Sequence, residues 1–129
     1  TFPFLIVPKA SKSEKNMGLD KFNKKDGGTF AQDDWSKKNL GVGGTDTKKQ
    51  NIHPTVKPID LMSYLVVLGS RKGDVVLDPF SGSGTTGIAC VFSERNYILI
   101  EREKEYFKIM EARIKKAKNP ADLVQHEWF

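Results

Sequence analysis

The chain has 129 residues, 38% of them apolar, and a formal net charge of +5, so its size suits one domain with a modest core. No apolar run approaches the roughly 20 residues needed to span a bilayer, and the first residues lack the layout of a signal peptide. We therefore expect a soluble, cytoplasmic protein with no membrane partner. The single cysteine, Cys90, leaves no partner for a disulfide within the chain and no cysteine-rich zinc site. It lies in an apolar stretch and is expected to be a small core residue.

Positive charge is concentrated in the first half of the chain. Residues 1–57 contain 11 lysines and 6 acids, whereas residues 58–129 contain 10 basic and 10 acidic residues. Such asymmetry is typical of contact with a polyanion, and a lysine-rich solvated loop is the alternative. A strand is predicted at Phe2–Val7, followed by a polar loop with Lys9, Lys12 and Lys15. Residues 17–50 are rich in Gly, Lys, Asp and Asn and are predicted to be irregular and mobile.

The second half alternates helices and strands. Pro58 is expected to open a helix that stops at Gly69, and a short strand should end at Asp78. A helix is predicted from Thr85 to about Ser93. The strand Tyr97–Glu101 is nearly all apolar and is predicted to be buried in a parallel sheet. The first helix should bury Ile59, Leu61, Met62, Leu65, Val66 and Leu68, and a last helix should run from about Glu103 to Ala117. This order predicts an α/β fold with a right-handed crossover joining two adjacent parallel strands.

The loop Asp78-Pro79-Phe80-Ser81-Gly82-Ser83-Gly84-Thr85-Thr86 lies where open α/β sheets bind their ligands. Its glycines allow a close approach to the backbone, and the helix start attracts a negative group. A Walker-type phosphate loop is excluded because Ile88, and not Lys, follows Gly87. The dinucleotide pattern Gly-x-Gly-x-x-Gly does match. However, Asp78 would place a carboxylate against the pyrophosphate, so a nicotinamide-dinucleotide-binding reductase fragment is the alternative and not the preferred interpretation.

An acid at the strand end favours a cationic ligand, and S-adenosylmethionine fits the polar residues of this region. Asp78 suits its ammonium group, and Thr85 and Thr86 with the helix amides suit its carboxylate. Glu101 is predicted at the tip of the second strand, where it suits both ribose hydroxyls. One ligand thus accounts for the acids, the threonines and the glycines together.

The residues Asp78–Thr86 resemble motif I of DNA amino-methyltransferases. Upstream, Asn51-Ile52-His53-Pro54-Thr55-Val56-Lys57-Pro58 resembles the segment that precedes motif I in the β-arranged group of that family. The resemblance implies a partial Rossmann-like methyltransferase fold with parallel central strands and flanking helices. It also implies S-adenosylmethionine as cofactor and methylation of an exocyclic amino group of DNA, with adenine preferred over cytosine. The implied cofactor-binding residues are Thr55, Lys57, Asp78, Pro79, Phe80, Ser81, Gly82, Gly84, Thr85, Thr86, Glu101 and Arg102.

Two departures from the family pattern qualify this resemblance. Arg102 stands where the family often has an aliphatic residue that packs on adenine. The family's Asp/Asn/Ser-Pro-Pro-aromatic motif, which holds the flipped base, does not occur in the sequence. No catalytic residue and no metal ligand are therefore assigned. The N-terminal catalytic portion of the same enzyme is an expected partner, and the chain alone is expected to be inactive.

The resemblance also divides the chain by function. Residues 1–50 are expected to end a target-recognition region in which Lys9, Lys12 and Lys15 bind double-stranded DNA. Residues 51–118 form the S-adenosylmethionine-binding subdomain, and residues 119–129 form a tail. We expect the chain to belong to a bacterial or phage-like restriction-modification enzyme. A homodimer is one alternative for its oligomeric state. A catalytically inactive DNA-binding or interaction module is a further alternative.

Overall fold

The computed structural model describes residues 7–26 and 48–119 of the chain. The predicted strand residues Phe2–Ile6, residues 27–47 and the tail from Pro120 lie outside the described residues. Within the described residues, no helix is long and apolar enough to cross a membrane. The elements are α1 (Lys12–Lys15), β1 (Lys25–Asp26), β2 (Lys48–Lys49), α2 (Ile59–Gly69), β3 (Val75–Asp78), α3 (Thr85–Phe92), β4 (Asn96–Leu99) and α4 (Lys104–Ala117).

The two longer strands, β3 and β4, pair in parallel with Val75 opposite Asn96 and Asp78 opposite Leu99. Helix α3 connects them, so their carboxyl ends meet at the same edge of the sheet. The short strands β1 and β2 form a separate antiparallel pair. The prediction of an α/β fold with parallel central strands and flanking helices is confirmed.

Helix α3 is the centre of the core. Ile88, Ala89 and Cys90 are fully buried, and the prediction that Cys90 is a core residue is confirmed. Burial raises the pKa of the Cys90 thiol to about 11. One apolar cluster joins α2, α3 and α4 and contains Ile59, Ile88, Met110, Ile114 and Ala117, and a second contains Val66, Ala89 and Cys90. Packing against α2 and α4 therefore fixes α3, and with it the loop that precedes this helix.

One face of the parallel strand pair is open. Val75, Leu77, Ile98 and Ile100 are between 52% and 60% exposed. The prediction that the second strand is buried on both sides is therefore wrong for Ile98 and Ile100. The predicted inner face of α2 is also too broad, because Leu65 and Leu68 are 47% and 71% exposed. The physical reason is the same in both cases: the described residues leave about half or more of each of these side chains uncovered. An apolar side chain in a pattern indicates a face that needs cover, but not what covers it.

The segment before residue 20 is folded onto the rest of the structure. Lys12–Lys15 form one helical turn with a capping box, in which Ser11 and Glu14 cap each other's backbone. The prediction of a polar loop is therefore wrong at these residues. Ala10, in the predicted polar loop, is 5% exposed, and Leu19, in the predicted irregular region, is fully buried. Both segments therefore contribute to the core.

Candidate functional site

The loop between β3 and α3 is bound to the end of β4. The backbone N–H of Ser81 donates to the carbonyl of Ile100 at 3.0 Å, and the Ser81 hydroxyl donates to the same carbonyl at 3.1 Å. Gly82 and Gly84 both have left-handed backbone conformations, with φ of 53° and 78°. Gly84 is also the N-cap of α3. The turn therefore requires glycine at these two positions, as the sequence suggests.

The two acids predicted at the strand tips do converge on this loop. Asp78 accepts from the N–H of Phe80 at 3.0 Å and from the hydroxyl of Thr86 at 2.5 Å. Glu101 accepts from the N–H of Gly82 at 2.8 Å, and its second oxygen accepts from the N–H of Glu103 at 2.8 Å. Because each carboxylate oxygen has two lone pairs, both acids keep capacity for a further donor. Two negative charges are thus held in fixed orientations around the glycine turn.

The hydroxyls of the two threonines have partners within the protein. Thr86 is 7% exposed and donates to Asp78, while Thr85 is 4% exposed and accepts from Arg113 at 3.2 Å. The structure therefore gives these hydroxyls a role in shaping the loop. Their direct contact with a ligand stays a prediction. The helix start that they occupy still presents its backbone amides at this position.

Arg113 was not predicted as part of the site. It lies on α4 and is fully buried there. Its guanidinium reaches the loop and donates to the carbonyl of Ser83 at 2.7 Å and to the Ser83 hydroxyl at 3.0 Å. Burial lowers its pKa to about 10, so it stays charged at neutral pH. The available signal was a basic residue at the helical spacing of Met110, Ile114 and Ala117.

The segment before α2 lies directly against the loop. The ring of His53 meets the Tyr106 ring edge-on, with centroids 4.7 Å apart. A side chain at Gly82 would collide with His53 Nε2. The Nδ1 atom of His53 accepts from the N–H of Thr55 at 3.3 Å, so the neutral ring carries its proton on Nε2, next to the loop. His53 thus packs between the loop and α4.

The predicted contacts Thr55 and Lys57 are exposed residues of this segment, and the Lys57 ammonium donates to the Thr55 carbonyl at 3.2 Å. They line a groove of about 600 Å³ that is also lined by Lys9 and Lys15. A larger groove of about 810 Å³ runs along β4 and α4. Neither groove is lined by Glu101 or by a residue of the loop from Asp78 to Thr86, so neither is assigned to this site.

The remaining predicted residues are mixed in their accessibility. Phe80 is 89% exposed, Pro79 is exposed, and Ser81 is buried. The exposed Arg102 side chain pairs with Glu103 at 3.1 Å. Lys12 is exposed on α1. Among the described residues, no group of three or more His, Cys, Asp and Glu side chains is arranged to hold a metal ion.

Acidification is expected to destabilise the protein through His53. Burial is the main cause that lowers its pKa, Lys57 and Arg113 lower it further, and Glu101 opposes them. Because the unfolded chain then binds the proton more readily, the contribution of His53 to stability is present above about pH 6.5 and is lost as pH falls through its folded pKa. Thermal melting between pH 7.5 and 5.5 should show a smaller decrease for His53→Gln than for the wild type. His126→Gln, at the other histidine, is the control, and equal pH slopes for His53→Gln and the wild type would contradict the assignment.

Comparison with known proteins places this chain in a family. The family model described as DNA methylase, for N6 and N4 methyltransferases, matches residues 6–112. The chain belongs to this family. The matched range includes α1, the His53–Lys57 segment, the glycine loop and both acids. The DNA methylase family was the one indicated by the two sequence motifs, and that prediction is confirmed.

Individual relatives are bacterial enzymes. The chain is 42% identical over 105 residues to the Type II methyltransferase M2.MboI of Moraxella bovis, which covers 81% of this chain and 37% of that protein. It is 43% identical over 79 residues to M.HinfI of Haemophilus influenzae, covering 60% and 22%. A crystal structure of an M1.HpyAVI–SAM complex superposes with a TM-score of 0.47 and 52% identity, covering 48% of this chain and 30% of that one. The chain thus spans well under half the length of these relatives.

Proposed function

We propose that this chain is the S-adenosylmethionine-binding part of a DNA methyltransferase that methylates an exocyclic amino group, with adenine preferred over cytosine. The observation that carries the proposal is the convergence of Asp78 and Glu101, from the tips of two adjacent parallel strands, on one glycine turn. Membership of the DNA methylase family supports the same function.

The residues of the loop fit the cofactor's polar groups. S-adenosylmethionine supplies an activated methyl group on a sulfonium. In our proposal, Asp78 accepts from its ammonium and Glu101 accepts from its ribose hydroxyls, using the lone pairs that the loop amides leave available. The amides at the start of α3 face its carboxylate. Thr55 and Lys57 contact the methionine end from the segment before α2, and Phe80 and Arg102 lie at the exposed side next to the adenine.

The transfer itself requires more than the cofactor. A neutral exocyclic amino group is a weak nucleophile that must be held within a few ångströms of the methyl group. The Asp/Asn/Ser-Pro-Pro-aromatic motif that would hold it is not in this sequence. We therefore propose that the N-terminal portion of the same enzyme provides it and that the chain alone does not transfer methyl. The open aliphatic face of Val75, Leu77, Ile98 and Ile100 supports a further portion of protein beside β3 and β4.

Double-stranded DNA is the proposed macromolecular substrate. The excess of lysine in residues 1–57 supports contact with its phosphate backbone. Lys12 is exposed on α1, whereas Lys9 and Lys15 line the groove that also contains Lys57. The assignment of residues 1–50 to target recognition and of residues 51–118 to cofactor binding is part of the same proposal.

Ligand-dependent melting tests this function against its alternatives. A ligand that binds only the folded state raises the melting temperature in proportion to the logarithm of its concentration. We expect S-adenosylmethionine and S-adenosylhomocysteine to stabilise the chain and NAD to have no effect. Stabilisation by NAD alone would favour the reductase fragment, and no stabilisation by any of the three would favour an inactive interaction module.

In the same preparations, tritiated S-adenosylmethionine should label DNA no more than a Glu101→Ala control does. Labelling above that control would place the catalytic group in this chain.

A further inference from the structure

We propose that Arg113 is a positioning residue that holds the glycine loop in its ligand-binding shape and links it to the opposite wall of the site. The inference rests on the proposed function, because it assumes that the loop binds the cofactor. The hydrogen bonds of Arg113 go to Ser83, Thr85 and Glu14, and not to the acids Asp78 and Glu101. It acts through the loop.

One guanidinium nitrogen of Arg113 donates hydrogen bonds to three oxygen atoms of the loop. Nη1 donates to the Ser83 carbonyl at 2.7 Å, to the Ser83 hydroxyl at 3.0 Å and to the Thr85 hydroxyl at 3.2 Å. These atoms flank Gly84, whose left-handed conformation starts α3. The contact with the Ser83 carbonyl fixes the peptide unit between Ser83 and Gly84, and the hydroxyl contacts hold the side chains on both sides of Gly84. The backbone amides that would meet a cofactor carboxylate belong to the same residues.

The second terminal nitrogen of the guanidinium, Nη2, connects the loop to the N-terminal segment. Nη2 donates to the Glu14 carbonyl at 3.2 Å. The Glu14 carboxylate in turn accepts from the N–H of Ile59 at 2.5 Å, where α2 begins directly after the Thr55–Pro58 segment. Arg113 and Glu14 therefore form a chain of contacts from the glycine loop to the start of α2. This chain joins the two sides of the proposed cofactor site.

The burial of Arg113 is difficult to explain by stability alone. Its side chain is fully buried, and its Nε atom has no hydrogen-bond partner among the described residues. A buried donor without a partner costs about 1–3 kcal/mol, and an apolar side chain of similar volume often stabilises such a site as well or better. The position nevertheless contains a group with donors in a fixed planar arrangement. A requirement for loop geometry accounts for that choice.

The test compares Arg113→Met and Arg113→Lys with the wild-type chain. For each, the affinity for S-adenosylmethionine is measured by calorimetry, the stability by thermal melting, and loop order by amide hydrogen exchange at Ser83–Gly87 without ligand. We expect Arg113→Met to weaken binding by about tenfold or more and to accelerate exchange in the loop. Arg113→Lys, which keeps the charge and one donor to Ser83, should recover part of both.

Arg95 provides a matched control at the opposite end of β4. It is partly buried, and it donates to the carbonyls of Ser70 and Ser93. Arg95→Met should lower the melting temperature while leaving the affinity and the Ser83–Gly87 exchange unchanged. A merely structural role for Arg113 would make its variants behave in the same way.

The outcomes separate the two proposals. Wild-type affinity together with wild-type loop exchange in Arg113→Met would overturn the role of Arg113. If Arg113→Met does not fold, a folded Arg113→Lys with unchanged affinity and exchange would overturn it equally. Failure of the wild type to bind S-adenosylmethionine would overturn the proposed function, and exchange in the loop would then decide whether Arg113 orders this turn.

Discussion

Replacing Gly84 by alanine is expected to destabilise the protein and to remove ligand binding. Gly84 has φ of 78°, and an added Cβ would lie 2.6 Å from Met110 Cγ. The left-handed conformation costs an alanine roughly 1–2 kcal/mol, and displacing a packed core side chain adds roughly 1–3 kcal/mol. We therefore expect a loss of about 2–5 kcal/mol in the free energy of unfolding. Binding is lost because the same turn orients the amides at the start of α3.

Gly73→Ala is the control for this prediction. Gly73 has a similar φ of 84°, but no atom lies within 4 Å of the position of an added Cβ. Its substitution should cost only the backbone contribution, about 1–2 kcal/mol, and leave ligand affinity unchanged. Denaturant titration of both variants measures the difference. Equal losses of stability at the two positions would show that the contact with Met110 does not matter.

Much of the site could be predicted from local sequence. A short apolar run ending in Asp78, followed by a glycine-rich turn and a helical pattern, identifies a strand, a loop and a helix start. The same pattern at Glu101 places a second acid at the next strand tip. Parallel strands joined by one helix bring their carboxyl ends together, so the convergence of these acids follows from topology. The structure confirms the positions of both acids at the loop.

The contacts beneath the loop could not be predicted in the same way. Glycine is required at positions 82 and 84 because His53 and Met110, residues of the same chain, occupy the space that a side chain would need there. Arg113 has the periodicity of a core residue, and nothing local indicates that its guanidinium reaches Ser83. These are contacts between residues about 30 positions apart. They depend on how α4 and the segment before α2 pack against α3 and its loop, which a local pattern does not specify.

The open sheet face was mispredicted for a different reason. Ile98 and Ile100 have the composition of a strand that is buried on both sides, as in most parallel sheets. In the described residues only the face toward α3 is covered, and Val76, Tyr97 and Leu99 pack there. The composition of a strand indicates that its side chains need to be buried. It does not indicate which part of the protein covers the second face of the sheet.

Glu101→Ala is expected to weaken binding of S-adenosylmethionine by about 1–3 kcal/mol, or roughly 5-fold to 150-fold. Two effects add to this loss. The cofactor's hydroxyl donors lose a charged acceptor, and the N–H of Gly82 loses the partner that holds it at 2.8 Å. Glu103→Ala is the matched control, because Glu103 is an exposed neighbour whose side chain pairs with Arg102. It should bind as the wild type does.

Calorimetric titration of the wild-type chain, Glu101→Ala and Glu103→Ala with S-adenosylmethionine tests whether the two strand tips bind the cofactor. We expect binding by the wild type with one ligand per chain, the same affinity for Glu103→Ala, and a clear loss of affinity for Glu101→Ala while its melting temperature shows that it is folded. No heat of binding with the wild type, or equal affinity for the folded Glu101→Ala, would contradict the assignment of the strand tips as the cofactor site.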